Sequence, residues 1–236
     1  MTAVRPPEYF PRLDYAALLL AADRFVVADT FPFSRQAWQN RTRVRTPEGP
    51  GWQWLTVPRR HAGAATPLLA LPLSAEPWAR THRRALRYAY GMAPYHAHYA
   101  DEVDALLRRP WTSLGALTTA TVRWAARRLG AAAEVVCASD LPGAPDTLPA
   151  VWEALDAPPV LATLPESALR DAERLAAFEP AVRVLQFEEP ERRQNFPGFV
   201  PGLGVLDLLL NHGPAAADLL REGIAGWRDV APGQAP

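Results

Sequence analysis

Leu13-Asp14-Tyr15-Ala16-Ala17-Leu18-Leu19-Leu20-Ala21-Ala22 and then Phe25-Val26-Val27-Ala28-Asp29 set the fold class. The first run is rich in Ala and Leu, which lose little side-chain freedom in a helix. The second is aromatic and β-branched and suits a buried strand. Toward the N-terminus, Ala3-Val4-Arg5 reads as a short strand and Pro7-Glu8-Tyr9-Phe10-Pro11 as a rigid turn carrying an aromatic pair. Strand, helix, strand is the unit of a parallel sheet. The expected class is therefore α/β, a mostly parallel sheet flanked by helices.

Toward the C-terminus, Phe33-Ser34-Arg35-Gln36-Ala37-Trp38-Gln39-Asn40-Arg41-Thr42-Arg43-Val44-Arg45 crowds amides, guanidinium groups and an indole behind the strand. A segment that only turned the chain would use Gly, Asn, Asp and Pro. This one offers fixed donors and a stacking surface, so it reads as the centre of a binding site. Arg41, Arg43 and Arg45 alternate with Thr42 and Val44 as strand faces do. The turn residues Thr46–Gly51 and the run Trp52–Val57 then predict a β-hairpin near residues 41–57.

Ser74 is expected to cap a helix reaching about Tyr90 and closed by Gly91. Further helices are expected over His96–Arg108, from Thr112 or Ser113 to Gly130, over Glu166–Ala177, and over Leu203–Leu210 and Pro214–Ile224. Strands are expected at Ala133–Ala138 and Val182–Phe187. The proline-rich passage about 139–165 reads as a surface stretch of weaker order around Val151–Leu155. All of residues 1–236 are expected to form one domain.

The chain has 236 residues, 49% of them hydrophobic, and a formal net charge of zero. No global field draws it to nucleic acid, and no run reaches the ~18 apolar residues of a membrane span. The start lacks the apolar core of a signal peptide, so a cytoplasmic protein is expected. All 25 basic residues are Arg, which excludes Lys as Schiff base or general base. Cys137 is the only cysteine, and its apolar run suggests a buried structural thiol. No dinucleotide, P-loop or metal-binding spacing occurs, so neither cofactor nor metal is expected. The implied partner is a small molecule.

Asp29 ends a strand where ligands collect in open α/β sheets. It is either a carboxylate for a hydroxyl or amine, or a turn-capping Asp. Arg41 and Arg43 match carboxylate or phosphate by their forked donors, whereas Arg45 reads as a solvated edge. On a helical wheel His82 points inward with Trp78, while Arg80, Arg83, Arg84 and Arg87 form one solvated stripe. Leu203–Asn211 is apolar all round except for Asp207 and Asn211, so Asp207 is expected to be buried. A buried carboxylate demands a partner. With no Lys in the chain, Arg41 or Arg43 is expected to supply it, joining the two ends of the chain in space.

Taken together these segments resemble the WbqC-like family. The resemblance is carried by Glu8-Tyr9-Phe10-Pro11 with Tyr15, Ala22-Asp23 before the strand, Arg35-Gln36 with Asn40-Arg41, and Leu55-Thr56-Val57-Pro58. It continues through Trp78 with His82, Ala89-Tyr90-Gly91 with Pro94-Tyr95 and Tyr99, and Gln194 ahead of Leu206-Asp207-Leu208-Leu209, Asn211 and Gly213-Pro214. It implies a transferase in bacterial surface-polysaccharide (O-antigen) biosynthesis, placing an aminoacyl group on an amino-sugar intermediate, with a sugar or nucleotide-sugar as the small-molecule substrate. A non-catalytic carbohydrate- or partner-binding protein of the same pathway is the alternative. On this reading His82 or Asp29 is the base. Tyr9, Gln36, Asn40, Arg41, Arg43, Asp207 and Asn211 bind substrate. The chain departs from the family at Gly202 and Gly204, where Asn and Ser are frequent, and at Arg83 and Met92.

Overall fold

The computed structural model describes residues 1–35, 37–155, 160–161 and 182–230. Its main sheet contains β1 (Thr2–Arg5), β2 (Arg24–Val27), β5 (Glu134–Cys137), β6 (Val160–Leu161), β7 (Val182–Phe187) and β8 (Ile224–Val230). Their order across the sheet is β5-β2-β1-β6-β7-β8. The first five run parallel and β8 lies antiparallel on β7. Helix α1 (Leu13–Ala21) makes the expected crossover from β1 to β2, in register Val4 to Val26. The mixed α/β class is as the sequence predicts.

Alternate strand residues feed two cores. Ala3, Phe25, Val27 and Cys137 face a large core built by α1, α2 (Trp78–Tyr90), α3 (His96–Arg108), α4 (Leu114–Arg128), α6 (Val205–His212) and α7 (Ala216–Glu222). Val4, Val26, Ala28 and Ala138 face a smaller core closed by Val151 and Trp152 of α5 (Leu148–Leu155). A sheet buried on both faces explains why Phe25, Val26 and Val27 of β2 form an unbroken apolar run.

The hairpin of β3 (Arg41–Arg45) and β4 (Trp52–Thr56) stands apart as a two-stranded antiparallel sheet. It is tied to both ends of the chain. Thr42 Oγ1 donates to the Phe10 carbonyl at 2.9 Å, Gly204 N donates to Arg43 O at 3.0 Å, and Val205 N donates to Pro11 O at 2.8 Å. Phe10 is fully buried at a φ of 44°, a left-handed conformation that costs a non-glycine residue about 1–3 kcal/mol. Thr121 Oγ1, which accepts from Phe10 N at 3.2 Å, helps to hold it there. The opening turn, the hairpin and the start of α6 thus meet at one point.

Three expectations are corrected. Helix α2 begins at Trp78, and Ser74 caps only a local turn through its bond from Glu76 N. Residues 148–155 form α5 rather than a weakly ordered passage, because Val151 and Trp152 seal the second face of the sheet. The second C-terminal helix stops at Glu222, and Ile224–Val230 is a strand. That strand has little β propensity, with Gly226 and Asp229 in it, and its pairing with β7 imposes the conformation. The expected helix at 166–177 lies outside the described residues. No helix among the described residues is long and apolar enough to cross a membrane.

Candidate functional site

Strand alternation puts Arg41, Arg43 and Arg45 on one face of β3, but their surroundings differ. Arg45 is buried, and its guanidinium donates to the carbonyls of Thr46, Gly51 and Pro197, each at 2.8 Å. It is therefore a structural tie rather than a solvated edge. Arg41 and Arg43 are half-buried on tryptophans. Arg41 lies 4.3 Å from the Trp54 ring centre, and Arg43 lies 4.0 Å from Trp52 and 4.8 Å from Trp54. Trp38 packs edge-on against Trp54 at 5.1 Å. Arg12 reaches over Trp38 at 5.8 Å, with its own charge met by Glu8 and Asp14.

Neither Arg41 nor Arg43 has a carboxylate partner among the described residues, and the Nε of each is buried without a hydrogen bond. The Arg43 pKa is lowered, first by burial and then by the neighbouring charges of Arg41 and Arg12. Stacked guanidinium groups that repel one another and lack an acid among the described residues are chemically suited to receive an added anion. Gly202, at a φ of 73°, lies beside this group, and a Cβ there would approach Arg43 Nη1 to 3.3 Å.

His82 is buried against Tyr9 and Trp78. Nε2 lies 3.2 Å from the Thr56 carbonyl, which can only accept, so Nε2 carries the proton. Nδ1 then accepts from Tyr9 Oη at 2.9 Å. Burial pulls the His82 pKa down to about 4, against the opposing effect of the Thr56 bond. The imidazole is neutral at pH 7, and both nitrogens are engaged within the protein. Tyr9, raised well above its usual pKa by burial, keeps its phenolic proton and donates it to this bond. Asn40 donates its side-chain Nδ2 to Val57 O at 3.0 Å, and its backbone carbonyl accepts from Val57 N at 2.7 Å. Gln36 lies outside the described residues.

Asp207 is completely buried, as its helix requires, but its partner is neither Arg41 nor Arg43. Arg192 Nη2 donates to Asp207 Oδ2 at 3.2 Å and Gln194 Nε2 at 3.1 Å. Asn211 Nδ2 reaches Oδ1 at 3.3 Å, and the Tyr90 hydroxyl donates to the same carboxylate. Burial still raises the Asp207 pKa to about 6, with Arg192, Gln194 and Tyr90 pulling the other way. Tyr90 Oη in turn accepts from Arg45 N at 2.9 Å, which links this network to the hairpin. Arg41 and Arg43 are stacked on tryptophans instead, so the acid is neutralised from 15 positions away in its own C-terminal third. The need for a buried partner was legible; only Gln194, within the family pattern, marked the segment that supplies it.

Asp29 is 2% exposed, and both its oxygens are taken by Ser139. The backbone N–H donates to Oδ1 at 3.0 Å and the hydroxyl to Oδ2 at 2.7 Å. It clasps the carboxyl ends of β2 and β5 through a residue 110 positions away, rather than capping its own turn. Cys137 is buried and its thiol pKa is pushed up to about 11, chiefly by burial. The structure therefore gathers Tyr9 with His82, Arg41 with Arg43, and Asp207 with Asn211, and leaves Asp29 apart from them, at the carboxyl end of β2 against Ser139.

Residues 6–219 match the WbqC-like protein family. The chain is also 27% identical over 227 residues to "Uncharacterized protein Rv1507c" of Mycobacterium tuberculosis (strain ATCC 25618 / H37Rv), covering 93% of this chain and 96% of that protein. No solved structure matches. A match spanning the opening turn, the hairpin, the Trp78–His82 helix and the Asp207 helix covers every cluster described above, and the chain belongs to the WbqC-like protein family.

Proposed function

We propose that the protein is a transferase of bacterial surface-polysaccharide biosynthesis that passes an aminoacyl group to the amine of an amino-sugar intermediate, whose phosphate or carboxylate is held by Arg41 and Arg43. The observation that carries this reading is the pair of half-buried, tryptophan-stacked guanidinium groups with no acid to meet them among the described residues. Charge-assisted hydrogen bonds are worth roughly 1.5–3 kcal/mol each, enough to anchor a sugar phosphate. In the transfer itself the amine nitrogen attacks the activated acyl carbon. The new C–N bond forms, the bond to the leaving group breaks with its electron pair, and the amine gives up a proton.

His82 can take that proton only after Tyr9 releases Nδ1, and a pKa of about 4 makes it a weak base. Together with the full engagement of Asp29, this favours a second reading, a non-catalytic protein that binds the same anionic sugar. Calorimetry with UDP-glucosamine tests the anion site. Arg41→Gln with Arg43→Gln should weaken binding by 10-fold or more, on the order expected for lost charged donors. Unchanged affinity would remove the hairpin from substrate recognition. His82→Gln separates the two readings: lost turnover with retained binding supports catalysis, and unchanged turnover takes His82 out of the mechanism.

A further inference from the structure

A second cationic feature lies on the opposite face of α2 from His82. Arg80, Arg83, Arg84 and Arg87 recur at helical spacing along α2 and line a groove shared with α3. The groove encloses about 670 Å³ over a floor of Leu86, Val103, Leu107 and Leu210. On the far wall Asp104 is already claimed from both sides by Arg83 and Arg108. That leaves Arg80, Arg84 and Arg87, all exposed and none with an acid partner among the described residues, against Asp101 alone. A merely solvated stripe would sit on a convex surface. Here three uncompensated forks flank a concavity of the size that takes small molecules, about 300–1,000 Å³, and its floor is apolar.

We infer that the α2–α3 groove is a second binding site, for a phosphate monoester or diphosphate that carries an apolar group. The phosphate oxygens accept from Arg84 and Arg87, with Arg80 one turn further along, because guanidinium forks match phosphate in two-pronged geometry. The apolar group lies on the methylene stems of the arginines and on half-buried Ala100, because Leu86 and Leu107 are only 6% and 2% exposed in the protein. The site is independent of Arg41 and Arg43, which lie on β3. Its ligand could reach it free in solution or extracted from a lipid headgroup, and the same chemistry serves both.

Titration of the full chain with octyl phosphate, followed by the chemical shifts of α2 and α3 amides, tests the inference, with inorganic pyrophosphate and phosphatidylglycerol vesicles as companion probes. Octyl phosphate should shift these amides in the wild type, and Arg84→Gln with Arg87→Gln should weaken it at least 10-fold with the melting temperature unchanged. Arg41→Gln with Arg43→Gln should leave it intact. Extraction from a lipid source would appear as octyl phosphate competing the protein off the vesicles. Equal affinity in the Arg84/Arg87 variant, or no shift with octyl phosphate, overturns the inference. Vesicle binding that needs the same arginines while octyl phosphate leaves α2 and α3 unmoved also overturns it, in favour of a membrane-facing surface.

Discussion

The proton of His82 rests on Nε2 because the Thr56 carbonyl faces it, and burial prevents a second one from binding until the pH falls to about 4. An unfolded histidine binds its proton near pH 6.5. Between these values the unfolded chain holds more protons, so this group's contribution to stability is complete above pH 6.5 and is lost as the pH falls toward 4. The size is about 3 kcal/mol. Urea denaturation at pH 7 and pH 4.5 should show a smaller loss in His82→Gln than in the wild type. Asp207 acts with the opposite sign. Its pKa is raised to about 6, so the folded protein holds the extra proton and this group's contribution falls as the pH rises from about 4 to about 6. Asp207→Asn should abolish that dependence in the same titration. Arg192→Met strands the buried carboxylate and should cost roughly 3–5 kcal/mol at pH 7. A loss below 1 kcal/mol would mean that Gln194, Asn211 and Tyr90 suffice to satisfy the acid.

Among the elements, the hairpin shows how a binding surface is held without joining the main sheet. Its anchor is the contact of Thr42 and Arg43 with Phe10 and Gly204. A Cβ at Gly204 would collide with Thr42 Oγ1 and come within 3.0 Å of the Phe10 carbonyl. Gly204→Ala should therefore destabilise the protein by roughly 1–3 kcal/mol. It should also shift the amide signals of β3, which a heteronuclear NMR spectrum would register. Any side chain at this position would meet the same wall, so glycine and Thr42 belong together. The same element-level view explains the two missed elements. Residues 148–155 and 224–230 have weak local signals, and each acquires its conformation from the sheet it covers or extends.

For the whole molecule, the sheet arranges stability from its centre outward. Strand β2 is paired on both sides, by β1 and β5, and its Phe25, Val26 and Val27 are fully buried. Among the described residues, strand β8 is paired only by β7. Native-state hydrogen exchange should therefore protect the β2 amides close to the global unfolding free energy, with β8 opening earlier. Equal protection in the two strands would show that the edge is as cooperative as the centre.

The sequence by itself determined the α/β class, the strand–helix–strand start, the hairpin at 41–57 and the inward face of His82. It also determined the burial of Asp207. These follow from periodicity, alternation and the cost of desolvating charge, which act over a few residues. Tertiary structure alone decided that Arg192 answers Asp207, that Asp29 closes on Ser139, and that Arg41 and Arg43 are stacked on tryptophans without an acid among the described residues. Which of many arginines meets a buried carboxylate depends on which segments the packed helices bring within hydrogen-bond reach. That distance is set by the whole core and by no local stretch of the chain.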